Sequence, residues 1–208
     1  MDKHNQLYWE NYYKSQNPTP LPLPSQFACF CINELKHQGI NEIVDLAGGD
    51  GRDSLFFSMY DFKVTMVEKS KAAAVTATEH TKRYPVTVKL GDVVTDEIPI
   101  SKARSVPIAF YSRFFIHTLP PEAVGEFFMN VVNVIRPEDR FYVEYRTDQD
   151  QQRPKVTKPH KRYFHRQSLI RNVAHEAGLR EDYHTSGTGY AKWQQDDAFI
   201  ARHVFRGT

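Results

Sequence analysis

Three carboxylates draw attention in the first half of this 208-residue chain, because each follows a short apolar run: Asp45 in "IVDLAGGDGRDS", Glu68 in "VTMVEKS" and Asp92 in "VKLGDV". Gly48, Gly49 and Gly51 follow within six residues of Asp45. Glycines there let the chain turn tightly and bring backbone amides against a ligand as a helix starts near Arg52. Such turns also serve as plain strand-to-helix connections, so the two further carboxylates carry the argument. An ionised carboxylate only accepts hydrogen bonds, whereas a nucleoside offers a ribose diol and an adenine amino group, all donors. Glu68 is placed for the ribose, and Asp92 with the Val93 amide is placed for the adenine edge. Any one of the three could be a strand-end charge facing water; three after successive strands read as one site.

The elements that would hold them alternate. Apolar runs at 41–47, 63–69, 86–92, 106–114 and 140–147 read as strands, with helical patterns at 26–38, from 52, and at 70–84, 121–135 and 166–178. Ser25 is an N-cap and Gly39 a left-handed C-terminal cap for the first of these helices. Two more strands fall near 180–186 and 198–206 with no helical pattern between them, so they pair as an antiparallel hairpin. The expected fold is a doubly wound, Rossmann-like α/β sheet of seven strands, mostly parallel with the reversed hairpin at the end, in a three-layer sandwich. Residues 25–208 form that domain, and 1–24 form an aromatic and proline-rich arm, "LYWENYY" then "NPTPLPLP", the latter favouring extended geometry.

Bulk properties narrow the classes. A net charge of +2 argues against a strongly basic nucleic-acid binder. No apolar run approaches the roughly 18 residues of a spanning helix, and the first residues do not lead into a signal-peptide core, so a cytoplasmic protein without membrane contact is expected. Cys29 and Cys31, two apart on a helical pattern, suit neither a disulfide nor a metal site and read as reduced core residues; no metal is expected.

"VDLAGGDGRDS", "VTMVEKS", "LGDV" and "AFYSRFFIHTL" together resemble the first four motifs of class I S-adenosylmethionine-dependent methyltransferases, over about residues 26–206. That resemblance implies S-adenosylmethionine as cofactor. It puts Asp45 and the amides of Ala47, Gly48, Gly49 and Gly51 on the methionyl end, Glu68 on the ribose and Asp92 with Val93 on the adenine. Asp53 and Lys69, beside these motifs, join the cofactor contacts, and Tyr111, Ser112 and Arg113 lie beneath the sulfonium. The family pattern has glycine where this chain has Ala47, which is acceptable if Ala47 keeps a negative φ. The rival, a nicotinamide-dependent enzyme, needs glycine at position 54, which is serine here.

Methyl transfer asks the protein to align a nucleophile and, for a hydroxyl, to remove its proton. His117, just past the fourth strand, suits a general base; a buried histidine bonded to backbone explains it equally well. Arg113 and Tyr111 complete the catalytic candidates. Arg113 at the end of the fourth strand, Arg146 at the end of the fifth, and Lys161, Arg162 and Arg166 from the polar 148–166 loop, with Tyr163 as a stacking face, would recognise an anionic group. A solvated mobile loop is the alternative. RNA binding is disfavoured by the near-neutral charge and by the lack of Asn/Asp-Pro-Pro-Tyr after the fourth strand.

The expected acceptor is therefore a small anionic or hydroxylated molecule, with O-methylation first. Weaker likenesses point to glycan or other metabolite pathways, and to tellurite- and thiol-methylating enzymes whose acceptor needs no base. A non-catalytic cofactor- or partner-binding module is the third reading. The arm could close over the cofactor, pack on the core or serve a homodimer; monomer and homodimer both remain open.

Overall fold

The computed structural model describes residues 3–15, 23–157 and 160–208, with only the backbone of residues 3 and 4. Most of the proline-rich stretch expected to be extended lies outside the described residues. Seven strands form the main sheet: β1 (Glu42–Leu46), β2 (Lys63–Glu68), β3 (Val86–Leu90), β4 (Ala109–Arg113), β5 (Arg140–Arg146), β6 (Arg180–Gly187) and β7 (Ile200–Arg206). Their order is β3-β2-β1-β4-β5-β7-β6, parallel from β3 to β5, with β7 antiparallel to both β5 and β6. The chain order therefore reverses between β1 and β4, the crevice at which open α/β sheets take ligands.

Alternation along the strands divides the side chains between two cores. Val44, Phe110, Phe141 and Val143 face helices α5 (Pro121–Val132) and α6 (Gln167–Glu176), joining Phe127, Phe128 and Ile170. Ile43, Ala109, Tyr111 and Tyr142 face helices α2 (Gln26–His37) and α3 (Arg52–Met59), joining Phe27, Ile32 and Phe57. By that parity Asp45, Arg113, Glu144 and Arg202 share the α2–α3 face, so one face carries the polar array.

The caps are as the sequence implies. The Ser25 Oγ accepts the Ala28 amide at 3.0 Å, and Gly39 takes a φ of 69° beyond the end of α2. Helix α4 (Lys71–Thr81) is capped by Ser70, which accepts the Ala73 amide at 3.2 Å. Cys31 is buried, but Cys29, two residues away on another face of the helix, is exposed, which corrects the expectation that both are core residues.

Two features have no counterpart in the sequence reading. A short ribbon, Lys192–Trp193 paired with Asp196–Asp197, stands between β6 and β7. The aromatic part of the arm is a helix, α1 (Lys3–Ser15), packed against α4. Among the described residues no helix is long and apolar enough to cross a membrane.

Candidate functional site

The turn after β1 is built from left-handed residues: Ala47 at φ 63°, Gly49 at 62° and Gly51 at 77°. Ala47 thus lacks the negative φ expected of it. Its amide donates to the Val67 carbonyl at 2.9 Å. A left-handed L-residue costs roughly 1–2 kcal/mol. Gly51 needs its missing side chain for a second reason, since a Cβ there would lie 2.9 Å from the Cβ of Ala77 on α4.

The carboxylates converge as their spacing implies. Glu68 accepts the Gly49 amide at 2.9 Å on one oxygen and the Ser70 amide at 2.7 Å on the other, which locks the ends of β1 and β2 together. Burial raises its pKa despite those bonds. Asp45 is 2% exposed and accepts the Ser54 hydroxyl at 2.6 Å. Its carboxyl is pushed up to about 7, by burial first, with the Ser54 bond opposing and Asp53 and Glu68 adding. Asp92 accepts the Val94 amide at 3.1 Å and pairs with Lys69 at 2.6 Å, so Lys69 is held by a carboxylate and does not face a ligand alone. The Val93 amide has no acceptor among the described residues.

Asp53, Tyr111 and Ser112 lie beneath this edge and are bound to the protein itself. Asp53 receives the Ser25 amide at 2.8 Å, the Ser25 hydroxyl at 2.7 Å and the Tyr111 hydroxyl at 2.7 Å. Burial opposes its ionisation, but Arg52, Arg113 and these donors outweigh it and hold its pKa below the ordinary value. Burial, then the Asp53 charge, pushes the Tyr111 hydroxyl well above its ordinary pKa. Ser112 donates to the Leu46 carbonyl at 3.2 Å. These three tie β4 to β1, α2 and α3; they do not present free groups to a cofactor.

The acceptor side differs most from expectation. Strand register sets Glu144 beside Arg113 on β4 and Arg202 on β7. Its oxygens receive Nε of Arg113 at 2.9 Å and Nε of Arg202 at 2.7 Å. The terminal nitrogens of Arg113 make no hydrogen bond among the described residues, and its side chain is 15% exposed. Arg146, expected to meet an anionic acceptor, is instead buried between Asp150 at 2.7 Å and Asp196 at 2.5 Å.

His117 is buried, its Nδ1 facing the Arg146 amide at 3.4 Å. Burial, then the charges of Arg146 and Arg162, lower its pKa well below the ordinary value. The Nδ1 lone pair is thus turned to the backbone, as in the bonded-histidine alternative. Arg162 reaches the Thr157 hydroxyl and Lys161 lies over the Tyr163 ring at 4.9 Å, while the Tyr163 amide donates to the His117 carbonyl at 2.7 Å. Arg166 is exposed at the surface beside Asp148 at 3.8 Å.

Three participants escaped the sequence reading. Arg52 opens α3 with its guanidinium 3.4 Å from Asp53 and 5.6 Å from the Trp193 ring. Phe114 leaves β4 at a φ of 56°, rare for a bulky residue, with its ring 4.0 Å from the Arg113 guanidinium and 5.0 Å from that of Arg146. Ala47 and Phe114 therefore strain the backbone at the ends of β1 and β4, the two strands flanking the crevice. The third is α1, whose Glu10 accepts the Ser70 hydroxyl at 2.7 Å and the Ala72 amide at 3.2 Å, and whose Tyr13 hydroxyl lies against Gly49. Only the run of aromatics hinted at it.

No protein-family model matches the sequence, and no curated protein matches it. Solved structures do. One, studied for conversion of a disulfide bond into a thioacetal group during echinomycin biosynthesis, superposes with a TM-score of 0.75 at 14% identity, covering 98% of this chain and 92% of its own. A methyltransferase dependent on S-adenosylmethionine from Anabaena variabilis gives 0.71 at 15% identity, covering 100% and 96%. The magnesium protoporphyrin IX methyltransferase of Synechocystis, with bound S-adenosylmethionine, gives 0.64 at 13% identity, covering 88% and 79%. The chain has the class I methyltransferase fold. Within it the Asp45–Glu68–Asp92 edge lies at the carboxyl ends of β1–β3. A separate cleft of about 620 Å³, lined by Arg171, His175, Leu179 and Glu181, lies where α6 enters β6, at the opposite end of the sheet.

Proposed function

We propose that this protein is a cytoplasmic S-adenosylmethionine-dependent methyltransferase that methylates a small anionic acceptor on oxygen. The observation that carries the cofactor is the complementarity of the β1–β3 edge. Each Glu68 oxygen receives one amide and, as a carboxylate oxygen, has capacity for a further donor such as a ribose hydroxyl. Asp92 and the Val93 amide set an acceptor beside an open donor, the pattern that an adenine edge needs. Structures of the same fold, one with this cofactor bound, support the reading. The dinucleotide alternative wants glycine at position 54, yet Ser54 is buried and its hydroxyl holds Asp45.

Bound there, the cofactor supplies an activated methyl group. The chain's own residues then have to orient both partners and exclude water, which α1 does by lying over Gly49. Arg113, anchored through Nε with its fork end open, suits an anionic group, and Phe114 holds that fork in place. Because neither His117 nor Tyr111 is presented as a base, an acceptor that arrives ionised is favoured over an alcohol. A carboxylate fits this first. A thiolate or chalcogenide, equally independent of a base, is the second reading.

Titration calorimetry with S-adenosylmethionine tests the cofactor. Glu68→Ala should weaken binding by about 1–3 kcal/mol, the cost of leaving polar partners unmatched. Labelled methyl transfer to a panel of small carboxylates and thiols tests the acceptor: a base-labile methyl ester supports the first reading and a base-stable thioether the second. Binding without transfer to any acceptor would leave a binding module, and absence of binding would sink the proposal.

A further inference from the structure

We propose that Asn5 is a positioning residue that ties the helix covering the glycine turn to the acceptor-side segment, so that the two move as one body. Asn5 is fully buried although it stands in the first turn of α1. Its Nδ2 donates to the Thr118 carbonyl at 3.1 Å and to the Lys161 carbonyl at 3.0 Å, two segments that meet only beyond β4 and β5. One turn on, the Tyr8 ring stacks on His160 with centroids 4.3 Å apart. The same helix then reaches the other half of the edge, where Glu10 holds the start of α4 and Tyr13 lies against Gly49.

A helix of 13 residues is about 20 Å long, and residues 5–13 of this one hold neither proline nor glycine at which it would kink sharply. Seating Glu10 and Tyr13 therefore fixes where Asn5 holds Lys161. The segment is pinned in turn to the turn after β4, through the Tyr163 amide on the His117 carbonyl and through His165 Nε2 at 2.9 Å from the Leu119 carbonyl. Whatever alters the seat of α1 on the glycine turn is felt at Lys161–Tyr163, which is bonded to the turn after β4 through His117. The use of this link in catalysis rests on the cofactor reading above; the link itself does not.

Hydrogen exchange on the ligand-free full chain tests it from the far end. Glu10→Ala, which removes no contact to the segment, should speed exchange of the 160–163 amides by about five- to tenfold, the loss of roughly one net hydrogen bond. Exchange in the β1 and β4 cores should stay unchanged, which separates coupling from general loosening. Asn5→Ala should speed the same amides and abolish any further effect of Glu10→Ala on them. Acceleration confined to α1 and the start of α4 in Glu10→Ala would overturn the link, and Tyr8→Ala provides the same comparison should Asn5→Ala fail to fold. Added S-adenosylhomocysteine should slow exchange at both ends in the wild type and at Gly49–Ser70 alone in Asn5→Ala. If it slows neither in the wild type, the cofactor reading falls while the ligand-free variants still decide the link.

Discussion

The two halves of the strand-end edge use charge in opposite ways. Along β1–β3 Glu68 and Asp45 receive backbone amides and a hydroxyl and retain capacity for further donors, while Asp92 pairs with Lys69. Along β4, β5 and β7 the arginines are already matched: Arg146 by Asp150 and Asp196, Arg202 by Glu144, and Arg113 by the same Glu144 through one nitrogen. The first half leaves acceptor capacity at the crevice. The second is mainly a frame, and it exposes one guanidinium fork. A charge near a site therefore says little until its partner is found.

The largest effect should come from breaking that frame. Arg146→Ala would leave Asp150 and Asp196 buried without their cation, and removing one partner of a buried pair typically costs about 3–5 kcal/mol. Urea denaturation should show a loss of that size, with cofactor affinity little changed in whatever fraction stays folded. A normal denaturation midpoint combined with loss of acceptor binding would restore Arg146 to the ligand and erase the contrast between the halves.

The same contrast explains what the sequence disclosed. Asp45, Glu68 and Asp92 were legible because their partners lie in the same turn or the next strand, so spacing alone placed them. The sheet order was legible too, since the alternation of runs constrains a parallel sheet tightly. The partners of the acceptor side are remote in sequence: Arg146 finds Asp196, and Glu144 finds Arg202, 58 residues on. The insertion of β7 between β5 and β6 brings Arg202 beside Glu144, the ribbon ahead of β7 brings Asp196 to Arg146, and no local pattern announces either pair. The aromatic arm left several placements open for a related reason. Its helix is held by contacts with the start of α4 and the 160–163 segment, none of which is local.

A second test probes the first half through pH. In the unfolded chain Asp45 has its ordinary value of 3.8, and in the fold it is pushed up to about 7. Between those values the native state binds more protons than the unfolded one, so this group's stabilising contribution is full below pH 4 and is lost as pH rises through about 7. Asp45→Asn removes the titration. The difference in unfolding free energy between wild type and variant should therefore shift by roughly 2–4 kcal/mol from pH 4 to pH 7.5, with the wild type losing ground. A flat difference would mean that Asp45 ionises in the fold at its usual value and is solvated, contrary to its burial.

The smallest effect concerns the residue that joins the halves. Ala47 and Phe114 both sit in left-handed backbone at the ends of adjacent strands, but only Ala47 has a simple remedy. Glycine accepts a φ of 63° without the Cβ penalty, though it also makes the unfolded chain more flexible, so the two effects partly cancel. Ala47→Gly should stabilise the protein by about 0.5–1 kcal/mol, read as a raised denaturation midpoint at an unchanged slope. If strain there is a device for presenting the turn, cofactor affinity should fall as stability rises, because a relaxed turn samples geometries in which the Gly49 amide no longer reaches Glu68. If affinity holds or improves, the methyl group of Ala47 only narrows the approach to the methionyl end, and the strain serves nothing in the site.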